Sequence, residues 1–120
     1  MSTVKEILAN GRANQKRLEH EAPALAQGFN DLMKSYYTPG VLSRRDKGLM
    51  AVTGAVAVRC LPCLALHVNN AIAAGATRAE VLEAAAIGVE YGGGPSYVFA
   101  RNDLLQFLDE IEAMKSLEVL

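Results

Sequence analysis

The sequence predicts an all-α protein of six helices. Three observations carry that prediction. Apolar residues recur at helical spacing, helix-capping residues stand at the starts of segments, and glycine or proline separates one segment from the next. The first segment, from about Thr3 to Glu19, is charged with an intermittent apolar face. Pro23 suits the first turn of a second helix, Ala24 to about Tyr37, because its missing N–H is not needed there. Leu25, Phe29, Leu32, Met33 and Tyr36 follow helical spacing within it, and Thr38-Pro39-Gly40 ends it.

Ser43 opens the third helix, with Asp46 three residues on as an imperfect capping box. The run Leu49 to Val58 is apolar on nearly all sides. Valine favours a strand, but the length and alanine content favour a buried helix. Leu61-Pro62 begins the fourth helix, which stops at Gly75, a suitable left-handed cap. Thr77-Arg78-Ala79-Glu80 is a full capping box for a fifth helix, about Arg78 to Tyr91. Gly92-Gly93-Gly94-Pro95 breaks the chain, and a sixth helix, about residues 96–115, carries Leu104, Leu105, Leu108 and Ile111 on one face.

The 120 residues suit one domain spanning 1–120: N-terminal helices at about 3–37, a core at about 39–100 and the C-terminal helix. Half of the residues are hydrophobic, but many are alanine and tryptophan is absent. Small side chains bury little area each, so other copies of the chain are expected to cover part of the apolar surface, making a homo-oligomer. The net charge is −1 and the cations are scattered, which argues against nucleic acid as a partner. The polar N-terminus lacks the apolar region of a signal peptide, and the apolar run Leu49–Val58 is too short for a bilayer. A cytoplasmic protein without membrane attachment is expected.

The chemistry concentrates in Cys60-Leu61-Pro62-Cys63-Leu64-Ala65-Leu66-His67. The predicted fourth helix puts Cys63 in its first turn, where free N–H groups and the helix dipole favour a thiolate, the reactive form. Cys63 and His67 stand four apart and so share a helix face. Cys60 could join them if the helix extended back to it. The histidine could take a proton from a thiol or return one. Three readings fit the residues: a dithiol redox pair, a zinc site, or inert buried cysteines. Zinc would need a fourth ligand besides the pair and His67, and His20 could serve only through a long-range contact. The spacing and an intracellular setting favour the dithiol, with no metal and no cofactor.

With these residues laid out, the chain resembles the carboxymuconolactone decarboxylase-like family, and within it the alkyl hydroperoxidase D-like branch with its C-x-x-C-x-x-x-H motif. The likeness continues through Ala74-Gly75-Ala76-Thr77, Glu80-Val81-Leu82-Glu83 and Gly92-Gly93-Gly94-Pro95, and upstream through Pro39-Gly40-Val41-Leu42-Ser43 and Lys47-Gly48-Leu49-Met50. It implies an all-helical homo-oligomer, a trimer or a hexamer. It also implies thiol-dependent reduction of a hydroperoxide, with a lipoyl or thioredoxin-like reductant. On that pattern Cys63 attacks peroxide, Cys60 condenses with the sulfenic acid, and His67 handles protons.

One departure stands out. The family's relay uses a glutamate twelve residues before the first cysteine, where this chain has Gly48. Glu90, among small apolar neighbours in Ala84-Ala85-Ala86-Ile87-Gly88-Val89-Glu90, is the candidate replacement, and Glu83 a weaker one. Burial there would raise a carboxyl pKa toward a value useful for proton transfer. Two other functions remain open: a lactone decarboxylase or isomerase using His67 and an acid without the thiols, and a dithiol sensor without turnover.

Overall fold

The computed structural model describes residues 3–119, and every regular element among them is helical. The order is α1 (Val4–Glu21), α2 (Pro23–Tyr37), α3 (Arg44–Val58), α4 (Leu61–Ala73), α5 (Arg78–Gly92), α6 (Gly94–Phe99) and α7 (Leu105–Val119). A π-helical turn, Ala100–Leu104, joins the last two. The backbone stays right-handed helical at Phe99, Ala100 and Leu105. The final three segments are therefore the single rod expected from the sequence, with a π turn that nothing in the sequence signals.

Local chemistry sets most helix ends. The Thr3 hydroxyl accepts from the Glu6 N–H at 3.1 Å, and that of Ser43 from Asp46 at 3.0 Å. The Asp46 carboxylate lies 3.5 Å from Arg45, so this box is closed from one side. Thr77 and Glu80 close theirs from both, at 3.1 and 2.9 Å. The other Glu80 oxygen pairs with Arg45, tying the start of α5 to α3. The Thr77 N–H, followed by Arg45, holds the Glu80 carboxyl below its ordinary range. The left-handed cap expected at Gly75 forms: with φ at +103°, its N–H reaches Ile72 O while Ala76 N–H reaches Ala71 O.

α3 lies against both α4 and α5, and α6 packs beside α3 and α5. The core between them holds Val52, Val56, Leu64, Val68, Val81, Leu104, Phe107 and Leu108. Small residues decide how closely the helices approach. A Cβ on Gly88 would stand 2.5 Å from Thr53 O and 2.9 Å from Val56 Cβ. A Cβ on Gly92 would stand 2.8 Å from Ala57 O and collide with the Ser96 side chain. Across this contact the Thr53 hydroxyl donates to Ala84 O at 2.8 Å. Gly48 plays a similar part against α4, where its Cβ would lie 3.2 Å from Ala71 Cα.

The α1–α2 hairpin stands off this body. The first turns of α1 are anchored through Val4, Ile7 and Leu8, and Glu110 accepts the Val4 N–H at 2.8 Å. Beyond them residues 9–21 are exposed, and only Ala26 of α2 is buried. Among the described residues no helix is long and apolar enough to cross a membrane.

Gly88→Ala should lower stability by about 1–3 kcal/mol, despite alanine's better helix propensity, because the methyl group meets backbone of α3. Thermal unfolding of the variant beside the parent checks this, with a lower melting temperature expected.

Candidate functional site

The approach to the cysteines is set by how α3 ends. Arg59 takes a left-handed conformation, φ 56° and ψ 50°, the only non-glycine residue with positive φ among those described. Its N–H reaches Val56 O, and the Cys60 N–H reaches Ala55 O at 3.1 Å. This is the same hydrogen-bonded stop that Gly75 makes for α4, closed here by a residue that carries a Cβ. The Arg59 guanidinium lies 3.4 Å from both Ala57 O and the buried Ser96 hydroxyl. The chain leaves this turn extended at Cys60 and enters α4 at once.

Cys60 is the N-cap of α4, not part of the helix, so the backward extension considered for it does not occur. Its sulfur takes the place of a capping oxygen and accepts the Cys63 N–H at 3.3 Å. Pro62 occupies the first turn, where it costs no hydrogen bond. Cys63 lies in that turn as the sequence predicts, and the two cysteines form a disulfide with Cα atoms 5.2 Å apart. Cys63 is packed against the core, while Cys60 is part-exposed at the helix entry.

His67 follows Cys63 by one turn on α4. Its ring lies beside Tyr37 of α2, with Tyr37 Oη 3.4 Å from His67 Nε2 and ring centroids 5.6 Å apart. Tyr36 packs edge-on against Tyr37 from the same helix. Burial lowers the His67 pKa below its ordinary 6.5, so the imidazole is neutral at pH 7. Burial, and then the neighbouring Tyr36, raises the Tyr37 pKa above 10.0, so its phenol keeps its proton.

Both rings line a cleft of about 520 Å³ between the ends of α2, α3 and α4. Met33, Pro39, Leu66, Ala73 and Ala74 supply its apolar wall. Lys34, Arg44, Thr38 and Asn70 supply its polar groups, and among the described residues no carboxylate lines it. Gly48 lines it too, at the position where the resembled relay would have its glutamate. Cys63, His67, Asn70 and Ala74 recur on one side of α4, so the dithiol and the cleft share that side with His67 between them.

The structure does not bring Glu90 to this place. Glu90 is exposed, has no hydrogen bond or ion pair among the described residues, and is absent from the cleft wall. The reason is rotation. Gly88 faces α3, and a residue two further on lies about 200° round the helix axis. Apolar neighbours in sequence therefore did not mean burial, and the desolvation expected at Glu90 does not arise. Glu83 is exposed on the same side. His20 is exposed on α1, and Tyr91 and Tyr97 lie outside the cleft, Tyr97 beneath the Arg101 guanidinium. Among the described residues no group of three His, Cys, Asp or Glu side chains is placed to hold a metal.

Sequence reasoning missed Tyr37 as a neighbour of His67. The two are thirty residues apart, on helices whose meeting no local signal announces.

A profile of the carboxymuconolactone decarboxylase family matches residues 23–103, a span that includes the cleft, the cysteine pair and His67. The chain belongs to this family. An uncharacterized Cupriavidus necator protein is 36% identical over 85 residues, covering 71% of this chain and 75% of that one. An uncharacterized Paracoccus denitrificans protein encoded in a cox locus is 35% identical over 89 residues, covering 74% and 79%. Among solved structures, a family member from Legionella pneumophila superposes with a TM-score of 0.81 at 31% identity, covering 88% of this chain and 95% of its own. A Thermotoga maritima protein superposes at 0.86 with 25% identity, covering 93% and 97%.

The His67 ring should titrate with a midpoint below 6.5, being neutral above it and charged only as the pH falls through it. Imidazole NMR shifts followed across pH check this.

Proposed function

We propose that this protein is a thiol-dependent peroxidase that reduces a hydroperoxide with the Cys60–Cys63 pair. The observation that carries the reading is the closed disulfide at the entry to α4, one turn from a neutral His67 that opens onto a cleft with an apolar wall and two cations. In the reduced protein the Cys63 thiol gives its proton to His67, and the sulfur attacks the outer oxygen of the hydroperoxide. The O–O bond breaks, leaving a sulfenic acid on Cys63, and the proton taken by His67 passes on to the released oxygen, which leaves as an alcohol. The Cys60 thiol then attacks that sulfur, and the hydroxyl leaves with the thiol proton as water. The result is the Cys60–Cys63 disulfide. A dithiol reductant, lipoyl or thioredoxin-like, restores both thiols by exchange.

Further support comes from family membership, and a part in the antioxidative response has been suggested for a Thermotoga maritima family member. The site as proposed needs no cofactor. A dithiol that cycles in this way suits the reducing cytoplasm.

The same reading includes a homo-oligomer, a trimer or a hexamer by resemblance. Leu25, Phe29, Leu32 and Tyr36 form one stripe along α2 and are 43–64% exposed. A second copy of the chain is the occupant proposed for that stripe, which continues to the helix end carrying Tyr37. Phe29→Asp with Leu32→Asp should reduce the mass measured by light scattering, whereas a parent protein that is already monomeric at micromolar concentration contradicts this part.

Peroxide consumption with dihydrolipoamide or reduced thioredoxin tests the activity. Cys60→Ser and Cys63→Ser should each abolish turnover, with His67→Ala lowering it by about 10²–10⁴-fold. A lactone decarboxylase that uses the cleft cations Lys34 and Arg44 for a substrate carboxylate is the second reading. It predicts that the double serine variant keeps lactone turnover and that the parent consumes no peroxide.

A further inference from the structure

The relay implied by family resemblance is incomplete in this chain, since Gly48 stands where it would have an acid and Glu90 faces away. Restoring a side chain at 48 is not simple, because a Cβ there lies 3.2 Å from Ala71 Cα. The ionisable groups that line the cleft with His67 are Lys34 and Tyr37 from α2 and Arg44 from α3, with Cys63 one turn back on α4. Lysine and arginine keep their charges at neutral pH and offer no acceptor to an imidazole N–H. Tyr37 alone among the three both lies within reach of the ring and can accept one proton while giving another.

We propose that Tyr37 extends the proton path from His67 into the cleft and acts as the general acid on the leaving oxygen of the hydroperoxide. The inference rests on the peroxidase reading for its substrate and on the Tyr37–His67 contact for its geometry. His67 Nδ1 receives the proton of the Cys63 thiol. Nε2–H, hydrogen-bonded to the Tyr37 oxygen, passes its proton there. The phenolic proton moves to the oxygen released when the O–O bond breaks, so the product leaves as a neutral alcohol. Each group ends as neutral as it began, the sulfur is oxidised to the sulfenic acid, and the peroxide is reduced. A charge-neutral shuttle suits a partly buried pair, where an imidazolium or a phenolate would be poorly solvated. It also needs no carboxylate, so the glycine that lets α3 approach α4 can stay. Tyr37 would be a catalytic residue supplied by α2, a helix whose other neighbours in the subunit are few.

The test is Tyr37→Phe, which keeps the ring and removes the hydroxyl. Single-turnover oxidation of the reduced protein is measured with tert-butyl hydroperoxide, which releases a basic alkoxide oxygen, and with peracetic acid, which releases a weakly basic carboxylate. A general acid matters most when the leaving oxygen is basic. A rate loss of about 100-fold with the first and only a few-fold with the second is expected. Equal losses with both, or none, overturn the proposal. The His67 titration supplies a readout that does not depend on peroxide. If Nε2–H donates to Tyr37, removing the acceptor disfavours the imidazolium, and the midpoint of His67 moves further down. A midpoint that rises means that the hydroxyl donates into Nε2, and one that stays means that there is no coupling; either result sinks the proton path. A parent protein that oxidises with neither peroxide defeats the peroxidase reading, and the general-acid role with it. The lowered midpoint would then still identify the His67–Tyr37 path.

Discussion

The close seam that α3 makes with α4 and α5 governs everything else in the molecule. Gly48 lies against Ala71 on one side of α3, and Gly88 and Gly92 lie against Thr53, Val56 and Ala57 on the other. Side chains this small contribute little burial each, but they let three backbones come near enough for Thr53 to bond Ala84 O across the gap. The same helix α3 ends in the Arg59 turn that leads directly into the dithiol. The left-handed turn at Arg59 is tolerated because its N–H, the Cys60 N–H and the Arg59 guanidinium are all held by α3 or by Ser96. Strain of this kind persists where surrounding packing determines it, and here it lies one residue before the reactive pair.

The same seam accounts for the form of the site. A glycine at 48 allows the approach to Ala71 and at the same time leaves the cleft wall without an acid. The cleft then presents cations, amides and hydroxyls around a neutral imidazole. Among the described residues no carboxylate lines the cleft to hold an imidazolium, and the proposed path hands protons between neutral groups instead. The two cysteines differ in position. The Cys60 sulfur accepts the Cys63 N–H at the helix entry, while Cys63 stands one turn before His67 on α4.

Much of this was legible because it is local. Ser43 and Thr77 mark their helix starts through bonds to residues three further on, and Gly75 marks an end through its own φ. Cys63 in the first turn of α4 follows from Pro62 and the cap. What the sequence hides depends on rotation and on distant contacts. Glu90 looked enclosed because its neighbours in the chain are apolar, yet those neighbours point elsewhere round α5. Tyr37 carried no signal beyond marking the end of its helix, because the helix it meets begins more than twenty residues later. The π turn at Ala100–Leu104 has no residue pattern that sets it apart from ordinary helix.

The central claim is that peroxide drives this dithiol into its own disulfide through Cys63. Mass spectrometry of the reduced protein after one equivalent of hydroperoxide tests it directly, with the oxidised form mapped by proteolysis and Cys60→Ser run in parallel. The parent should lose two hydrogens, form the Cys60–Cys63 bond and give no crosslinked chains. The Cys60→Ser variant should instead trap one added oxygen on Cys63. A parent that stays reduced on the timescale of free thiol oxidation, or a Cys60→Ser variant whose Cys63 remains unmodified, would contradict it.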